Sequence, residues 1–146
     1  MNPNRLISIT AFLVTAGGVA WLAKLAVIAG TDGRVTDTGA AAAFFVLGAI
    51  LLAAGGGCVA LRLLRPRRRL AAGVALALGP VLFFVSFTLL DGLAQAVVGS
   101  AGPAWLEDEV GILATGAVWL AIGLVLLRAM PDGARAPRAR VETTPG

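Results

Sequence analysis

The chain has 146 residues, 58% hydrophobic and 14% charged, with a formal net charge of +4 and a mean hydropathy of +0.89. A soluble domain is about 45–50% apolar and about 25% charged, so this chain has too little polar surface to clothe a soluble fold, and an all-α integral membrane protein is expected. The chain has no His and no Tyr, which excludes histidine-ligated zinc or haem and a histidine general base.

Of the basic residues only Lys24 is a lysine; the others are Arg, and with many Ala and Gly this composition points to GC-rich bacterial coding. The basic residues cluster at the ends of apolar runs and do not interleave with aromatics, so no nucleic-acid partner is expected. The single cysteine, Cys58, forms no intrachain disulfide.

Roughly 20 mostly apolar residues cross a bilayer as a helix, and four stretches qualify. The first is about Leu6 to Ala29. Arg5 precedes it, but it exceeds the usual apolar core of a signal peptide and reads as a retained helix. Thr10, Gly17 and Lys24 form a heptad line along it, and Gly17 and Gly18 offer a small face. The link GTDGRVTDTG follows, with Asp32, Arg34 and Asp37.

The second stretch is about Ala40 to Leu61. Its AAGGGCVA run pairs Ala53 with Gly57 and Gly56 with Ala60 at small-xxx-small spacing, which favours packing within a four-helix bundle. The link RLLRPRRRL holds Arg62, Arg65, Arg67, Arg68 and Arg69 and no acid. These arginines set topology and contact anionic headgroups; a docking site for a cytoplasmic partner is the alternative.

The third stretch is about Leu70 to Val98. Gly79-Pro80 within it predicts a kink, static or hinged. Pro80, Phe84, Phe87, Thr88, Asp91 and Gln95 share one face. The link SAGPAWLEDEVG carries Glu107, Asp108 and Glu109 and no base, and Trp105 reads as an interfacial anchor.

The fourth stretch is about Val110 to Leu127, with Gly116 and Gly123 a heptad apart. The three acids just before it complement the positive end of its dipole. A sharper reading makes them, with Asp32, Asp37 and Asp91, a weak entry site for a divalent cation or a cationic substrate, although no calcium-loop spacing is present. Residues 1–130 thus form one transmembrane domain, and residues 131–146, rich in Pro, Gly and Arg, form a disordered tail.

Arginine sits on alternate sides of the four segments, which predicts both termini and the arginine link in the cytoplasm and both acidic links outside. A bacterial cytoplasmic membrane is the expected location. Lys24 lies eighteen residues beyond Leu6 and Asp91 twenty-one beyond Leu70, so both stand roughly 27–32 Å along their helices, near the outer boundary. Three readings follow: an interhelical Lys24–Asp91 pair, two independent interfacial residues, or a substrate or ion site that includes Gln95.

The sequence contains no Ser-His pair, CxxC, HExxH or phosphate loop, so no enzyme, cofactor or metal is expected. A non-catalytic accessory, scaffold or assembly subunit, partnered by a larger membrane protein or by itself, explains the short length and small-residue faces. A small oligomeric transporter or channel using Lys24 and Asp91 is the alternative.

Overall fold

The computed structural model describes residues 3–64, 69–98 and 103–129. All regular structure among them is helical: α1 Pro3–Gly30, α2 Gly39–Leu64, α3 Arg69–Val98 and α4 Ala104–Arg128. Each helix is long and apolar enough to cross a membrane. The chain is therefore read as a multi-pass membrane protein with an apolar helical bundle.

The bundle is a ring. α1 packs on α2 and α4, and α3 packs on the same two helices, so α1 and α3 stand at opposite corners. Neighbours run antiparallel, as short connections require. One end of the bundle holds the α1–α2 connection and the start of α4, and we call it the acidic end. The opposite, arginine end has Arg62 in the last turn of α2, Arg69 at the start of α3 and Arg128 in the last turn of α4. Arg65, Arg67 and Arg68 lie outside the described residues, as does the tail from residue 130.

Without a hydrophobic driving force between helices in lipid, close approach of backbones has to hold the bundle. The glycines provide it. Successive helical residues point about 100° apart, so the Gly17-Gly18 pair serves two neighbours. A Cβ at Gly17 would lie 2.7 Å from Leu52 on α2, and one at Gly18 would lie 2.8 Å from the Gly116 carbonyl on α4. Gly79 of α3 allows no Cβ at all, because the Ala53 carbonyl and the Gly57 backbone of α2 occupy that space.

The helix α3 runs unbroken through Pro80, whose ring is exposed. Proline has no N–H for the carbonyl four residues back, here that of Leu76. That carbonyl faces Gly57, where a Cβ would come within 3.0 Å of it. The close helix contact forms where α3 has lost a backbone hydrogen bond.

At the acidic end α1 stops in a C-terminal cap. Gly33 N–H donates to the Ile28 carbonyl and Asp32 N–H to Ala29, with Asp32 in the left-handed region at φ 51°. Trp105 packs on Gly33 and ties this cap to the first turn of α4.

The start of α4 departs from the sequence expectation. The helix begins at Ala104, after an extended Pro103, and not near Val110. Pro103 holds the extended backbone of an N-cap residue, and acids are favoured in a first turn by the dipole. The run Glu107, Asp108, Glu109 is therefore part of the helix and not a link before it.

Candidate functional site

A single ammonium is held by three elements at the acidic end. Lys24 on α1 is 2% exposed. Its Nζ donates to Glu109 Oε1 at 2.8 Å and Oε2 at 2.9 Å, both on α4. Asp37 Oδ1, from the α1–α2 connection, lies 3.5 Å away on an exposed side chain. The ring of Phe45, on α2, presents its face 5.0 Å from the ammonium. Glu109 is itself buried. Lys24 is six residues from the end of α1 and Glu109 five from the start of α4, so the pair sits roughly 7–9 Å inside the helix ends.

The chemistry of this arrangement follows from burial. An isolated charge in a low-dielectric interior is costly, and two opposite charges in good geometry offset one another. The carboxylate here uses both oxygens on one ammonium, and the aromatic face adds a cation–π contact. The result is a buried ion-pair crosslink between α1 and α4, with Phe45 of α2 and Asp37 of its connection completing the contacts of the ammonium.

Below it lies an aromatic core. Trp21, 1% exposed, stacks on Phe45 with ring centres 5.6 Å apart, and its edge contacts involve Phe83 at 5.4 Å and Phe87 at 5.6 Å. The Trp21 indole N–H donates to the Phe45 carbonyl at 3.0 Å, so its polar edge is satisfied inside the apolar core. Gly48 makes the room, since a Cβ there would overlap the Trp21 ring. Phe45 thus contacts both Trp21 and Lys24. Trp21, Phe83 and Phe87 fill the space between α1 and α3.

That filling explains a correction. Lys24 pairs with Glu109, and not with Asp91. The two residues stand at similar depth, but they sit on diagonal helices whose separation is filled, about one turn below, by Trp21, Phe83 and Phe87. Asp91 instead accepts from Gln95 Nε2 one turn along α3, at 3.2 and 3.1 Å, and its carboxylate lies against Gly111 of α4. Glu107 and Asp108 are exposed, and no basic side chain among the described residues pairs with either.

The sequence-level candidates therefore separate into three groups: Lys24 with Glu109 and Asp37; Asp91 with Gln95; and Glu107 with Asp108 at the rim. Among the described residues no three metal-ligating side chains converge. Sequence reasoning missed the roles of Trp21, Phe45 and Glu109. A signal for Glu109 existed, because it stands a heptad before Gly116, which stands a heptad before Gly123. This line faces α1 in antiparallel register: Glu109 meets Lys24, Gly116 meets Gly18, and Gly123 meets Thr15. Comparison with protein families, curated proteins and solved structures finds no match, so the site rests on its own geometry.

Proposed function

We propose that this chain is a small non-catalytic membrane subunit, acting as an accessory, scaffold or assembly component of a larger membrane complex. The observation that carries this reading is the contrast between a closed centre and an open flank. The bundle centre is filled by Trp21, Phe83 and Phe87 and latched by Lys24–Glu109. In the helix α3, by contrast, only 17% of an 18-residue apolar stretch is buried, against 33–39% in the others. Such a chain does its work through its outside surface. The arginine bias supports both termini lying in the cytoplasm, with the acidic end outside a bacterial cytoplasmic membrane.

The transport alternative has less support. A path using Lys24 and Asp91 through the centre has to displace the aromatic core and break a doubly hydrogen-bonded ion pair.

The test is purification of the tagged chain from its native membrane in mild detergent, with mass spectrometry of what stays bound. A stoichiometric larger membrane protein is expected. A homo-oligomer alone, with flux in liposomes lost in Asp91→Asn, would replace this reading with transport.

A further inference from the structure

The outer faces of α3 and α4 do not close at the acidic end. Leu90, Leu93, Ala94 and Val97 recur on one face of α3, and Val110, Leu113 and Ala114 on one face of α4. Between them runs an open groove of about 340 Å³ with wholly apolar walls. Val110 is buried and Leu90, Ala94 and Ala114 are half-buried, so they form the floor; Leu93, Val97 and Leu113 are exposed and form the rim. The two alanines leave the space that longer side chains would fill.

A second space, of about 430 Å³, shares Val110 with the groove and is lined by Gln95, Glu107 and Asp108. Among the described residues this mouth presents mainly hydrogen-bond acceptors. Gln95 commits its amide nitrogen to Asp91, which leaves its carbonyl oxygen. The other two groups are carboxylates without a basic partner among the described residues. An apolar pocket with a few convergent polar groups is the usual form of a small-molecule site.

We propose that this groove binds a lipophilic ammonium ion, with its hydrocarbon along Leu93, Val97 and Leu113 and its cationic head at Glu107, Asp108 and the Gln95 carbonyl. The other occupants fit less well. A phospholipid brings a phosphate beside two uncompensated carboxylates. An apolar turn of a partner helix would leave Glu107 and Asp108 at the mouth without a counter-ion. A single alkyl chain carrying N–H donors satisfies both the walls and the mouth. This site goes beyond the accessory role and does not rest on it.

The experiment uses the full chain in phosphatidylcholine nanodiscs, with radiolabelled dodecylammonium in equilibrium dialysis against protein-free discs. Saturable excess binding is expected. It should weaken about tenfold or more in the Glu107→Gln/Asp108→Asn double variant, the loss due to two charge-assisted contacts. Ala94→Leu, which fills the floor, should weaken it comparably while the carboxylates stay in place. Both variants lie at exposed or half-buried positions, and unchanged thermal unfolding checks that each has folded. The proposal is overturned by uptake equal to that of protein-free discs. Binding untouched by either variant, or equal displacement by dodecanol, overturns it too. Displacement by phosphatidylethanolamine in the discs would assign the groove to a membrane lipid instead, and so also overturn it.

Discussion

The helices α1 and α3 are similar in length, both apolar, and each carries one ionisable residue about two turns from the acidic end. Their surroundings differ. The α1 charge is buried and paired across helices, and both glycines of its Gly17-Gly18 pair touch a neighbour. The α3 charge is half-buried and hydrogen-bonded within its own helix, and nothing lies near a Cβ at Gly73 or Gly92. Apolar composition therefore does not say how a membrane helix is used. What distinguishes the two is that α1 turns small residues to two neighbours and pairs its charge across the bundle, whereas α3 packs closely at Gly79 and leaves much of its flank open.

The sharpest way to break this contrast is at the charges. Lys24→Met or Glu109→Gln strips one member from a buried pair and should lower stability by about 3–5 kcal/mol, read by unfolding in detergent. The double replacement Lys24→Met/Glu109→Leu should recover most of that loss, since an apolar pair needs no compensation. Equal, additive losses would show that the crosslink does not hold α1 to α4.

Glycine substitutions separate the contact face of α3 from its open face by sign. Gly79→Ala forces a methyl into the α2 backbone and should cost about 1–3 kcal/mol. Gly92→Ala, with open space around it, should instead stabilise by roughly 0.5–1 kcal/mol by removing backbone freedom. If Gly92→Ala destabilises, the α3 flank is covered in the bundle. Smallest of all, Asp91→Asn should cost only about 0.2–0.5 kcal/mol, the worth of a one-turn contact on a helix surface. A loss as large as that of Glu109→Gln would erase the distinction between the two charges.

Much of the fold was legible, because span length and hydropathy are local properties. Four helices near the expected bounds follow from them. The site was half legible. Lys24 announced itself as a charge in an apolar run, and its depth could be counted. Its azimuth could not, because counting along a helix does not say which corner of the bundle the helix occupies. Glu109 was hidden by the acids beside it, which made LEDE look like a polar link. Only the start of α4 at Ala104, six residues earlier, carries Glu109 inward and onto the glycine line. Trp21 gave no signal, since its notch is made by Gly48 on another helix.

The Lys24–Glu109 crosslink also has a timetable. Its two members lie 85 residues apart in the chain. A ribosome adding roughly 5–20 residues per second makes Glu109 about 4–17 s after Lys24. Through that interval the ammonium of α1 has no α4 to meet. Asp37 follows Lys24 by thirteen residues and is already 3.5 Å from it in the finished fold. Of the two carboxylates that meet the ammonium, Asp37 is therefore the one made before α4.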